Sequence, residues 1–263
     1  MKGEWRLIKS GRCRASLNMA LDEAIAVSVR KNGLSPTLRL YGWDMPSVSL
    51  GCFQKTSEID SGYCAAHDIP IVRRLTGGRA ILHGEELTYS FSTRTDAPPF
   101  TKGLLESYRL ISEALTLAFS KIGVAADAKR QREKGSVLAG SPLCFRSSSY
   151  GEILVNRRKV VGSAQKRWED GLLQQGSIPY DFRKEDLRKI FRLGDDEAGM
   201  HMAGLREVAP DFDEETFRGA VISAFEEAFA ITLLPSVPTE EELSLSLALE
   251  KEKYLHPQWT RGR

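Results

Sequence analysis

The sequence predicts an α+β protein, a mixed β-sheet flanked by helices, in one domain spanning 1–263 whose last part, 183–263, is mostly helical. Three observations predict it. Short alternating segments and amphipathic helical segments follow one another without the regular strand–helix–strand alternation of a parallel sheet. The longest periodic segments, 104–122 and 214–229, carry apolar residues at spacings of three and four. A chain of 263 residues, 41% hydrophobic and 27% charged, suits one sizeable core.

In order, 4–9 reads as an edge strand and 16–30 as a helix with Leu17, Leu21, Ala24 and Ile25 on one face. Strands follow at 37–41, 47–53, 70–74, 79–82 and 87–92. In the helix at 104–122, Tyr108, Ile111, Leu115, Phe119 and Ile122 form the apolar stripe. Residues 129–140 turn from charged to Gly/Ser-rich and read as a loop. Strands at 150–155 and 159–164 flank Asn156-Arg157, a pair suited to a tight hairpin turn. Beyond the hairpin the pattern is helical: 184–193 stopping at Gly194, and 214–229 starting after Asp213. Thr239 with Glu242 three residues on is a capping box for a last helix.

Several function classes fall away. A net charge of +2 gives no reason to expect nucleic acid. No window approaches eighteen apolar residues, so no membrane span is expected, and the N-terminal residues lack a signal-peptide core, which points to the cytoplasm. Cys13, Cys52, Cys64 and Cys144 show no metal-type spacing, and the four histidines are scattered, so no metal site is expected.

Two segments carry the chemistry. In the first, RRLTGGRAILHGEELTYSF from Arg73 to Phe91, an apolar strand leads into arginines, a Gly77-Gly78 turn, Arg79 and His83. Adjacent glycines let backbone approach a ligand closely, and their N–H groups can face a carbonyl or phosphate oxygen, with Arg73, Arg74 and Arg79 around them. An ordinary turn with solvated arginines is the competing reading. The second segment runs from Cys144 to Ile178. It sets a cysteine ahead of a hairpin whose far strand bears Lys159, Gly162, Ser163 and Ala164. A neighbouring ammonium lowers a thiol pKa, and the thiolate is the nucleophile. Cys13, Cys52 and Cys64 read as packing residues.

Together with MALDEAI (from Met19), PTLRLYGWDMPSVSLGCFQ (from Pro36) and a terminal KYLHPQW (from Lys253), these segments resemble the biotin/lipoate protein ligase and acyltransferase family. The cysteine-dependent octanoyltransferase branch is the closer match. The resemblance spans nearly the whole chain and is weakest at 95–143 and after Pro179. It implies a biotin/lipoate ligase-like fold of the class II aminoacyl-tRNA synthetase type. It also implies Cys144 and Lys159 as the catalytic pair, with Arg73, Gly77, Gly78, Arg79, His83, Gly162, Ser163 and Ala164 lining the substrate site. The implied reaction moves an octanoyl group from octanoyl-acyl carrier protein through a Cys144 thioester to a lysine of a lipoyl domain, such as the glycine cleavage H protein. No ATP, cofactor or metal is expected, because a thioester is already activated. Basic patches at Lys129, Arg130, Arg132 and Lys134, and at Arg157, Arg158, Lys166 and Arg167, are candidate contacts for acidic carrier proteins.

The chain departs from the family pattern at Ser148, at Tyr150-Gly151 and at Gln175, which puts pocket shape and acyl-chain specificity in question. Three other readings remain open: an ATP-dependent lipoate–protein ligase, an octanoyl amidotransferase between lipoyl domains, and a non-catalytic relic that binds carrier protein. Arg79, where ligases usually carry a third glycine, and Cys144 both speak against the ligase.

Overall fold

A computed structural model describes residues 2–96, 98–128, 151–194 and 202–261. Eight of its strands form one mixed sheet in the order β11-β1-β2-β6-β10-β9-β8-β7. In chain order these are β1 (Gly3–Cys13), β2 (Thr37–Trp43), β6 (Glu86–Arg94), β7 (Asp127–Ala128), β8 (Ile153–Val155), β9 (Arg158–Arg167), β10 (Gly171–Pro179) and β11 (Ile231–Ser236). The other three, β3 (Ser47–Leu50), β4 (Ile71–Arg73) and β5 (Ile81–His83), form a small sheet ordered β4-β3-β5. The helices are α1 (Ala15–Lys31), α2 (Ser61–Ala66), α3 (Leu104–Lys121), α4 (Lys184–Phe191), α5 (Leu205–Val208), α6 (Glu214–Phe229), α7 (Glu240–Leu249) and α8 (Pro257–Arg261).

Strand alternation divides the large sheet into two chemically different faces. Leu38, Leu40, Tyr89 and Phe91 point into the main core with α3 and α6, where Ile111, Leu115, Phe119, Phe217, Val221 and Phe225 are buried. An aromatic group of Trp5, Phe91, Phe100 and Phe229 closes its end, with ring centroids 5.0–6.4 Å apart. The opposite face presents Arg39, Tyr41, Thr88, Ser90 and Gln175, and α1 packs there beside the small sheet. The small sheet has its own core of Val48, Leu50, Ile59, Ile69, Ile81, Leu187, Ile190 and Phe191. The two sheets thus leave a seam between them, lined from one side by a polar strand face.

Caps set helix boundaries where the sequence indicates them. Asp213 accepts from Thr216 N at 2.7 Å, and Thr239 with Glu242 makes the reciprocal capping box of α7. The hairpin turn has φ of +49° at Asn156 and +64° at Arg157, as a two-residue hairpin with primed geometry requires.

Three expectations are corrected. β1 is not an edge strand, because β11 pairs with it in parallel on one side and β2 on the other. The chain does not turn helical directly after the hairpin: β10 comes first and lies between β6 and β9. Its sequence, GLLQQGSIP, hides the alternation because both faces are buried. The expected strand at 47–53 ends at Leu50, where Gly51 begins a turn. The expected loop at 129–140 lies outside the described residues, as does Tyr150 at the start of the expected 150–155 strand.

Gly176 in β10 marks where a side chain crosses the sheet. Tyr89 and Ser163 are its register partners on either side, and the Tyr89 hydroxyl meets Ser163 Oγ at 2.8 Å. A Cβ on Gly176 would lie 2.1 Å from Tyr89 Cε1. Burial pushes the Tyr89 phenol up to about 12. Gly176→Ala is expected to destabilise the protein by about 2 kcal/mol through overpacking. Adding Tyr89→Leu should recover part of that loss, read by denaturant unfolding.

Candidate functional site

The glycine turn is built by arginines. Arg74 Nη2 donates to the carbonyls of Gly77 (2.7 Å) and Arg79 (2.8 Å), and its Nη1 reaches Ser49 O at 3.0 Å. Gly78 has φ of +82°, and its carbonyl lies so close to Gly51 that a Cβ there would come within 1.9 Å of it. Arg73, fully buried, donates to Gly51 O (2.8 Å), Gln54 O (2.6 Å), Trp259 O (3.0 Å) and Thr260 O (2.8 Å). The indole of Trp259 returns a bond to Arg73 O at 2.8 Å. Arg73 therefore ties the closing segment to the base of the turn, and five fixed guanidinium donors suit it to that task. Tyr254 and Lys253 anchor the same segment to Glu23 on α1, at 2.6 Å and 2.8 Å.

His83 sits at the end of β5 in a closed polar ring. Its Nε2 meets Ser49 Oγ at 2.7 Å and its Nδ1 meets Glu86 Oε1 at 2.9 Å. Thr88 donates to the same Glu86 oxygen at 2.5 Å, and Trp43 Nε1 donates to Thr88 Oγ1 at 2.8 Å. The Trp43 and His83 rings stack at 3.8 Å and 14°. Burial by itself would raise the Glu86 carboxyl. The His83 charge and the hydrogen bonds from His83 and Thr88 outweigh it and hold Glu86 below the usual carboxylate range.

A second buried chain runs along the polar sheet face. Asp22 and Arg39, both fully buried, pair at 2.7 Å. Asp22 also accepts from Tyr41 (2.8 Å), Ser90 (2.6 Å) and Gln175 (2.7 Å). Gln175 Oε1 accepts in turn from Thr76 at 2.9 Å, beside the glycine turn. Gln175 thus links the ion pair on α1 and β2 to the turn. Between the two chains lies a narrow cavity lined by Met19, Tyr41, Trp43, Ile81, Ala164 and Gln175, with His83 and Ser163 at its walls.

Lys159, on β9, is fully buried, and its ammonium pairs with the buried Glu152 across the β8–β9 hairpin. Its backbone carbonyl accepts from Ala203 N at 3.0 Å. Three to five residues further along β9, Gly162, Ser163 and Ala164 pair with Ser177, Gly176 and Gln175. The structure thus sets His83, Ser163 and Ala164 at the cavity between the sheets, and holds the Gly77–Arg79 turn against Gly51 through Arg73 and Arg74. Cys144 lies outside the described residues, as does the basic patch at Lys129, Arg130, Arg132 and Lys134. In the other patch Arg158 pairs with Glu207 at 2.8 Å, and Arg167 holds Phe100 O at 2.8 Å. Burial pushes the Cys64 thiol up to about 11, as an inert packing cysteine requires.

Sequence reasoning missed Asp22, Arg39, Ser49, Glu86 and Glu152. A signal was present for two of them. Arg39 alternates with Leu38 and Leu40 in a strand, and Asp22 interrupts the apolar run MALDEAIAV. Either pattern places a charge where only a paired one is tolerated. The Gly151 departure has a local reason: its φ is +85°, and an added Cβ would come within 2.9 Å of Tyr108 on α3.

The domain is thus a mixed eight-stranded sheet beside a small three-stranded one, with a buried Lys159–Glu152 pair on the β8–β9 hairpin. The chain belongs to the lipoyl protein ligase A/B catalytic domain family, whose model matches residues 14–227. It is similar to octanoyltransferase LipM of Kyrpidia tusciae, 37% identical over 97% of each chain. The similarity to octanoyltransferase LipM of Geobacillus kaustophilus is 36% over 100% of this chain and 99% of the other. Among solved structures, a lipoate-protein ligase A bound with ATP superposes with a TM-score of 0.81 at 25% identity, covering 100% and 99% of the two chains. The bipartite lipoate protein ligase of Thermoplasma acidophilum, at 23% identity and a TM-score of 0.79 over 100% and 97%, shares the fold. No helix among the described residues is long and apolar enough to cross a membrane.

Glu86 carries a pH-dependent contribution. Its folded pKa lies below the unfolded value of about 4.3, so its stabilisation is present above that value and is lost as pH falls through the folded one. Glu86→Gln is expected to cost about 2 kcal/mol at pH 7. Its deficit against wild type should narrow below about pH 4, measured by denaturant unfolding across pH 7 to 3. A deficit that stays constant would count against an ionised Glu86.

Proposed function

We propose that this chain is a cytoplasmic octanoyltransferase of lipoate biosynthesis, taking an octanoyl group from octanoyl-acyl carrier protein and delivering it to a lysine of a lipoyl domain such as the glycine cleavage H protein. The reading rests on full-length similarity to octanoyltransferases at 34–37% identity, joined to one structural observation: Lys159 is fully buried and paired with the buried Glu152.

The Cys144 thiolate attacks the thioester carbonyl, the carrier thiolate leaves and takes a proton, and an octanoyl-Cys144 thioester remains. The ε-amine of the acceptor lysine then attacks that carbonyl. The amide forms, the amine proton is lost, and Cys144 returns as thiolate. Charge gathers on the carbonyl oxygen in both halves, and the Lys159 ammonium with neighbouring backbone N–H groups stabilises it. Thioester donors carry their own activation, so neither ATP nor a metal enters the reaction.

Mixing the protein with octanoyl-acyl carrier protein, without ATP, should add one octanoyl mass that hydroxylamine removes and that Cys144→Ser abolishes. Lys159→Met removes the ammonium that pairs with the buried Glu152, so the double variant Glu152→Gln/Lys159→Met is the cleaner test. It should fold and form the adduct roughly 100-fold more slowly. No adduct, with lipoate attached to a lipoyl domain only when ATP and Mg²⁺ are added, would establish the ligase instead.

A further inference from the structure

The narrow cavity between the sheets has a larger neighbour. On the far side of Trp43 and His83 lies an open cavity of about 250 Å³, and both rings line both spaces. The inner cavity is only about 20 Å³, so a bound acyl chain must push some of its walls aside. Its walls differ in how readily they yield. Met19 is a flexible thioether side chain held by a weak 3.5 Å contact from Gln175. The Trp43–His83 wall is held at every polar atom: Ser49 and Glu86 bind the two imidazole nitrogens, and Thr88, itself bonded to Glu86, binds the indole N–H. Face-to-face contact at 3.8 Å joins the rings into one slab. Moving either ring would strand buried polar atoms, including those of a carboxylate.

The outer cavity could receive an alkyl tail. Met45, Pro46, Leu82, Pro179, Phe182 and Leu187 contribute apolar surface to it, beside a charged rim of Arg12, Asp44, Glu85, Asp181 and Arg183.

We propose that the stacked Trp43–His83 pair is the stop that sets acyl-chain length, by closing the inner cavity against the larger, partly apolar cavity beyond. The inference rests on the reading that the acyl chain occupies the inner cavity. Gly84, next after His83, lines the outer cavity without a Cβ. Ser49, Glu86 and Thr88 act through the two rings, as positioning residues.

The experiment reads the rate of acyl-enzyme formation by intact mass, with octanoyl-, decanoyl- and dodecanoyl-acyl carrier protein as donors. Wild type should favour octanoyl. Trp43→Leu should open the partition and raise the dodecanoyl-to-octanoyl rate ratio at least ten-fold, and Trp43→Phe, a smaller cut that spares the fold, should raise it less. Leu187→Ala enlarges the outer cavity without breaching the wall and should keep the wild-type ratio. Each variant is first checked for a cooperative thermal transition. An unchanged ratio in the folded Trp43 variants overturns the stop, as does an equal rise in Leu187→Ala, which would mean general loosening. A wild type that forms no octanoyl adduct sinks the transferase reading and this inference with it, whereas a wild type that forms it isolates the test to the wall.

Discussion

The buried Asp22–Arg39 pair is the constraint around which the two-sheet arrangement is organised. A carboxylate and a guanidinium with no exposed surface are tolerated only when paired and fully hydrogen-bonded. Here Asp22 takes bonds from Arg39, Tyr41, Ser90 and Gln175, contributed by β2, β6 and β10, while Asn18 and Ser10 bind the rest of the guanidinium. One turn of α1 is thereby registered against three strands at once. A slip of any of them by one residue would turn these polar groups into the aromatic core and leave the charges alone. Gln175 extends this register to Thr76 and so to the glycine turn. The shape of the seam between the sheets follows from where one charge pair must sit.

The arginines of the glycine segment show a second use of the same chemistry. Sequence alone offers them as ligands for a substrate anion or carbonyl. In the fold, Arg73 and Arg74 spend donors on backbone carbonyls, holding the Gly77–Arg79 turn against Gly51 and the closing segment against β4. Irregular buried backbone has carbonyls without ladder partners, and a planar guanidinium can satisfy several together. The glycines are then needed for close approach between two backbone stretches, Gly51 and Gly78.

How much was legible varies with the kind of signal. Helices with a long apolar period, α3 and α6, and the capped start of α7 stand where the pattern places them. So does the Asn156-Arg157 turn. β10 was not legible, because a strand buried on both faces loses alternation and its Gln-Gln-Gly centre imitates a loop. β11 and the interior position of β1 depend on a pairing more than two hundred residues apart, which no local window contains. Lys159 and His83 stand out through their motifs, whereas their partners Glu152, Glu86 and Ser49 do not, since an isolated polar residue in a strand carries no sign of what it faces.

The sequence by itself determined the α+β class, the main helices, the hairpin and the family, because composition, periodicity and short motifs are local properties. Tertiary structure alone decided that Arg73 ties the closing segment to the glycine turn, that Gly176 leaves room for the Tyr89 ring, and that Trp43 stacks on His83 between two cavities. These are properties of side chains brought together from different strands, and their energies depend on burial and on which partner satisfies each polar atom. That information is present in a chain only once it has folded.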